Sequence, residues 1–182
     1  ISVDGNGYSH VTGSSDASWG TPVRAFQAGW DAFAAKLDGS GYLVWHTFLG
    51  GASLDYGQGI AVDGSGNCHV VGDSQATWES PVRSHSGGED AFVARLNANG
   101  GLLWNTFLGS ADSEYGRGIA ADGSGNSLVA GYGRATWETP VRAHSGGWDA
   151  FAAKLGDSGN LLWHTFLGSS AEDHGYEIDV DG

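Results

Sequence analysis

The sequence predicts an all-β fold made of three four-stranded antiparallel blades of a β-propeller, and three observations predict it. Ile1, Ile60, Ile119 and Ile178 open the same passage at a constant spacing of 59 residues: ISVDGNGYSHVTG, IAVDGSGNCHVVG, IAADGSGNSLVAG and a partial IDVDG. The 182 residues include 32 glycines but 3 prolines; an interior glycine costs a helix about 1 kcal/mol relative to alanine, whereas tight turns between short strands use it freely. No segment sustains an apolar period of 3.6 residues, so no helix is placed.

In the second copy, four β-prone runs cover residues 60–63, 69–72, 90–96 and 102–109. Gly-Ser-Gly-Asn joins the first two and Asn-Ala-Asn-Gly the last two, which makes each pair a hairpin. A long loop, 73–89, links the hairpins, and a linker from Ser110 leads into the next copy. Four strands per unit at constant length fit a propeller blade. A β-solenoid coil is shorter, about 20 to 30 residues, and a sandwich does not repeat its sequence so faithfully. The short Ile-Ala-Val-Asp strand is expected innermost and Leu-Leu-Trp-Asn-Thr-Phe-Leu outermost.

The blades are therefore 1–59, 60–118 and 119–177, with 178–182 as the start of a fourth, together one propeller domain or part of one. Three blades make an incomplete ring, since propellers use about four to eight. Further blades of a longer chain, or homo-oligomerisation, are expected to complete it.

The phrases GQGIAVDGSGNCHVVGDS and GGEDAFVARLNANGGLLWNTFLGS, with their counterparts in the other copies, resemble the bacterial SBBP, or "seven-bladed beta-propeller", repeat. Its pattern runs through IAVD, GN, V-x-G, DAFVAKL and a TYLGG-like last strand. The resemblance extends over nearly the whole chain, with tryptophan in place of the usual long-loop aromatic and TFLG in place of TYLG. It implies a propeller in secreted or cell-surface bacterial proteins and no defined activity.

Charge narrows the partners. Twenty-one acidic residues against 8 basic ones give a net charge of -13, which repels phosphate backbones and anionic membranes, so nucleic acid is not expected. No apolar run approaches the roughly 20 residues of a membrane span and no signal peptide is read. A chain without methionine reads as a processed form or a piece of something longer, and its acidity suits a secreted bacterial protein. Cys68 is the single cysteine and has Ser9 and Ser127 as repeat equivalents, which points to packing rather than reactivity.

Read as columns, six of the eight cations fall at two positions: Arg24, Arg83 and Arg142, then Lys36, Arg95 and Lys154. The arginines are expected either to pair with Asp31, Asp90 and Asp149 or to meet a ligand carboxylate or sugar hydroxyl. Trp19, Trp78 and Trp137 share one long-loop position. With the arginines they are the candidate ligand-binding set, because an indole stacks on a sugar ring; the competing reading folds each tryptophan back to cap the core. Trp45, Trp104 and Trp163 on the outer strand are expected to pack between blades.

Asp4, Asp63 and Asp122 head Asp-Gly-[Ser/Asn]-Gly turns, too short for the alternating ligands and distal glutamate of a calcium loop, so no metal residue and no cofactor is assigned. Calcium between loops stays open in so acidic a chain. No histidine column is complete: His10 and His69 give way to Leu128, His46 and His164 to Asn105, and His85 and His144 to Phe26. With no catalytic motif either, the expectation is not an enzyme. It is a non-catalytic extracellular module, a structural or adhesive scaffold or protein-interaction surface, the alternative being a lectin with one site per blade.

Overall fold

The computed structural model describes residues 1–181, which form twelve strands and no helix. No helix among the described residues is therefore long and apolar enough to cross a membrane. The first sheet holds β1 (Ser2–Val3), β2 (Ser9–Ser15), β3 (Asp31–Leu37) and β4 (Leu43–Leu49). The second holds β5 (Asp55–Val62), β6 (Cys68–Ser74), β7 (Asp90–Leu96) and β8 (Leu102–Leu108). The third holds β9 (Glu114–Ala121), β10 (Ser127–Gly133), β11 (Asp149–Leu155) and β12 (Leu161–Leu167). Each sheet is an antiparallel meander in chain order, and the three are not closed into a ring.

The Asp-Gly turns form as hairpins, organised by the aspartate itself. Asp63 Oδ1 accepts the backbone N–H groups of Ser65 and Asn67, both at 2.9 Å, while its carbonyl accepts Gly66 N–H at 2.9 Å. Such Asx turns explain why the column is aspartate rather than any small polar residue.

The first strands begin earlier than expected: β5 starts at Asp55, not at 60, and β9 at Glu114. Their opening residues, Asp-Tyr-Gly-Gln-Gly and Glu-Tyr-Gly-Arg-Gly, carry glycines that propensity counts against a strand. First strands of successive blades lie against one another, and there is no room for side chains there. A Cβ on Gly59 would lie 2.8 Å from the Arg117 carbonyl oxygen, and one on Gly118 would lie 2.6 Å from the Cα of Glu177. Close approach, not a turn, selects these glycines. The second contact also shows what the C-terminal segment does: Tyr176 and Glu177 pack on β9 as β9 packs on β5. The expected fourth-blade start at 178–182 has no strand in its described part, and Gly182 lies outside the described residues.

The apolar core sits between blades. One cluster joins Ala32, Trp45 and Leu49 to Val70, Trp78 and Phe92; the other joins Val71, Val93 and Leu108 to Val129, Trp137 and Phe151. The middle blade is covered on both faces, so β6 and β7 are buried at every residue, whereas β11 alternates between buried and half-buried.

Candidate functional site

The candidate Trp and Arg columns come together, but across the joint between blades rather than within one blade. Arg24 stands at the end of the first long loop and reaches forward into the second copy. Its Nε donates to Glu79 Oε1 at 2.9 Å, and its other nitrogens donate to the carbonyl oxygens of Phe48 (3.0 Å) and Gly50 (2.8 Å). Arg83 repeats this with Glu138 (2.9 Å), Phe107 (2.9 Å) and Gly109 (2.7 Å). Each guanidinium also lies over the indole of the next copy, 5.6 Å from Trp78 and 5.8 Å from Trp137. The expected partners, Asp31 and its equivalents, are instead engaged locally: Asp31 Oδ2 accepts Gln27 N–H at 2.8 Å. The arginine column therefore ties each long loop to the last strand of its own blade through two carbonyls and, in Arg24 and Arg83, also to the next blade through a glutamate.

Trp78 and Trp137 are 4% and 3% exposed. The Trp137 ring stacks on His164 at 3.7 Å between centroids and presents edges to Phe151 and Phe166. Trp19 stacks on His46 at 3.8 Å and is half-buried, with no preceding arginine above it. In the second copy Asn105 stands at the histidine position, and its side-chain amide donates to the Trp78 carbonyl at 3.0 Å. The His46, Asn105 and His164 column thus has one task, bonding the tryptophan carbonyl, which an amide or an imidazole can perform. The indole faces of Trp78 and Trp137 are filled by the fold, whereas Trp19 keeps part of its ring exposed.

The second cation column secures the Asp-Gly turns. Lys36 meets Asp4 at 3.1 Å, Arg95 meets Asp63 at 2.9 Å and also Asp157, and Lys154 meets Asp122 at 2.9 Å. Burial alone would raise the Asp63 carboxyl, but hydrogen bonds from Asn67 and Arg95 outweigh it and hold it at about 2. Asp122, bonded by Asn126 and Lys154, also lies below the usual carboxylate range. Between successive turns lie clefts of about 390 Å³, floored by Lys36, and about 320 Å³, floored by Arg95. Both cations already have carboxylate partners, so neither is free to meet an anionic ligand.

His10 and His69 are fully buried, and burial depresses both below the usual imidazole range. They bond across the joints, to Cys68 Sγ at 3.0 Å and to Ser127 Oγ at 2.7 Å. Burial pushes the Cys68 thiol up to about 12, in keeping with the packing role expected of it.

One set of residues was missed by the sequence reading: a pair of carboxylates at each joint. Asp90 and Glu114 are both fully buried, and a Cβ on Gly109 would lie 2.5 Å from Asp90 Oδ1 and 2.7 Å from Glu114 Oε2. Asp31 with Asp55 repeats the pair, and Asp149 and Asp173 hold the equivalent positions in the third copy, where Asp173 is half-buried. In all three copies the Oδ1 of the first aspartate has no partner within the protein. Burial raises Asp31 to about 6 and Glu114 to about 7, and raises Asp55 and Asp90 as well. The readable signal was the acidic column Asp55, Glu114 and Asp173, set among the residues assigned to a linker.

Comparison with known proteins places this geometry. No curated protein matches the chain. Among solved structures, a protein of unknown function from Bacteroides caccae aligns with a TM-score of 0.48 at 13% identity, over 90% of this chain and 42% of that one. The chain thus spans less than half of that neighbour's length. Residues 44–77, from β4 through β6 into the second long loop, match the SBBP family, described as a beta-propeller repeat. That match spans the first joint of three in-register four-stranded blades, so there the chain is similar to the SBBP beta-propeller repeat.

Proposed function

We propose that the chain is a non-catalytic, secreted or cell-surface propeller scaffold that offers a regular apolar surface to a protein partner. The observation that carries this reading is a pair of exposed aliphatic side chains in every blade, one from the long loop and one from the outer strand. They are Val23 and Val44 (52% and 51% exposed), Val82 and Leu103 (50% and 51%), and Val141 and Leu162 (80% and 52%). Repetition in register gives the surface a fixed spacing on a rigid frame, as contiguous apolar patches at interaction sites have. The burial of His10, His69 and Cys68 inside joints, together with the lack of a complete histidine column, supports the non-catalytic reading.

Substrate panels and a glycan array test the proposal. Neither turnover nor sugar binding is expected from the purified chain. Turnover of any substrate would sink the non-catalytic reading. Sugar binding that disappears in Trp19→Ala and survives Leu103→Lys would favour the lectin alternative.

A further inference from the structure

Blades one and two each send the same side chains from their outgoing face into the next blade. Trp45 and Trp104 donate their indole N–H groups to the carbonyls of Ala98 (3.0 Å) and Asp157 (2.8 Å) in the following hairpin turn. Arg24 and Arg83 meet Glu79 and Glu138, each at 2.9 Å. The third blade carries the same set uncovered. Trp163 is 38% exposed where Trp45 is 9%, and Leu167 is 52% exposed where Leu49 and Leu108 are 0%. Arg142 bonds the carbonyls of Phe166 (3.1 Å) and Gly168 (2.8 Å) and, among the described residues, pairs with no carboxylate.

We propose that this face docks a further blade of the same repeat type, one whose loop carries an acidic residue directly after its tryptophan, as Trp78-Glu79 and Trp137-Glu138 do. The two internal joints supply the template. They seat the outer-strand tryptophan on the neighbour's turn, buried at Trp45 and half-buried at Trp104, cover the last leucine of that strand, and close the arginine with a glutamate. The inference rests on the outer-strand tryptophan, the last leucine and the arginine, and stands whether or not the exposed aliphatic pairs bind a partner.

A second copy of this chain has the wrong chemistry for that position. Its leading blade offers Gly20 where the later copies have glutamate, so Arg142 would gain no counter-charge. It also offers the Ser9 hydroxyl. Leu128 occupies the position from which His10 and His69 bond Cys68 and Ser127, so that hydroxyl would be shut against an aliphatic side chain with no hydrogen-bond partner.

The test extends the whole chain. Residues 178–182 correspond to 60–64 of the period, so a duplicate of residues 65–118 fused after Gly182 continues the register. Hydroxyl-radical footprinting is expected to show Trp163 protected roughly fourfold relative to the 182-residue chain, the ratio between 38% at Trp163 and 9% at Trp45. Glu79→Lys made only in the duplicate, and separately Arg142→Ala, are each expected to return most of the exposure. Equal protection by the glutamate and lysine forms, or no protection by either, overturns the proposal. So does protection of Trp163 in the unextended chain that rises with protein concentration, because a second copy would then be the occupant.

Discussion

Glu79 holds a left-handed backbone, φ 55°, and from it places its carboxylate 2.9 Å from Arg24 of the preceding blade; Glu138, at φ 48°, does the same for Arg83. The first copy has Gly20 at this position, at φ 58°. A non-glycine residue in that region costs about 1 kcal/mol, and an ion pair as exposed as this one contributes about 0.2–1 kcal/mol. The two nearly cancel. Glu79→Gly is therefore expected to leave stability within about 0.5 kcal/mol of the parent, while Glu79→Ala, which keeps the strain and loses the pair, costs about 0.5–1 kcal/mol. Arg24→Ala costs more, about 1–3 kcal/mol, because the carbonyls of Phe48 and Gly50 lose charged donors as well. Urea denaturation of the three variants checks the order; an Arg24→Ala no worse than Glu79→Ala would contradict it.

The buried carboxylates give stability a definite pH profile. Asp31, Asp73 and Glu114 have native values raised by burial to about 6, about 6 and about 7, with Asp73 staying high despite the nearby Arg117. Their contribution is complete below the unfolded values near 4 and is lost as pH rises through 6 to 7. Asp63, held at about 2, acts in the opposite sense: its contribution is present above the unfolded value and is lost as pH falls toward 2. These raised carboxylates make stability decline from about pH 4 toward pH 8, while His10 and His69, depressed by burial, oppose them by making it fall as pH drops below about 6.5. Each group contributes at most roughly 1.4 kcal/mol to that decline for every pH unit separating its folded and unfolded values. Glu114→Gln removes one source of the decline and supplies an N–H for the unpartnered Asp90 Oδ1. It should be about 1–3 kcal/mol more stable than the parent at pH 8 and within about 0.5 kcal/mol of it at pH 4. Urea midpoints at the two pH values decide, and a variant no more stable at pH 8 would refute the paired-acid account.

Trp78 separates packing from recognition. Its indole is buried between blades, and its Nε1 has no partner within the protein. Trp78→Ala is expected to cost about 3–5 kcal/mol through the cavity it leaves. Trp78→Phe should cost far less, about 1–2 kcal/mol, because losing an unpaired buried donor offsets part of the lost contact. Thermal unfolding of both measures the gap; equal losses would mean that ring volume is not what the site uses.

Cys68 should be inert in the native chain. With the thiol fully buried and pushed up to about 12, reaction with a soluble disulfide reagent is expected only at the rate of unfolding. Cys68→Ser is expected to hold stability within about 1 kcal/mol, since Ser127 already bonds His69 in the equivalent place. Rapid labelling of the folded protein would show that the first joint opens on its own.

The class of fold and the hairpin pairs were legible in the sequence because they depend on local chemistry: Asp-Gly turns, alternating runs and a fixed period. The Cys68 column was readable too, since serine at both equivalents left packing as its role. The early start of β5 and β9 was not readable. Their glycines look like turn residues in one dimension and are close-packing residues in three. The partner of Arg24 was hidden for a similar reason. Asp31 is 7 positions away along the chain and Glu79 is 55, and only the stacking of blades brings the second one near. A hint was present in the column that reads Gly20, Glu79 and Glu138, because exchange between glycine and a charged residue marks a left-handed backbone on the surface.

By itself, the sequence determined the repeat, the blade and the residues that recur in each copy, since identical segments impose identical local structure. The tertiary structure decided what those columns are for. Burial between blades made Trp78 and Trp137 core, brought glutamates of the next copy to Arg24 and Arg83, and set Asp90 beside Glu114. Desolvation at a joint exists only once two blades meet.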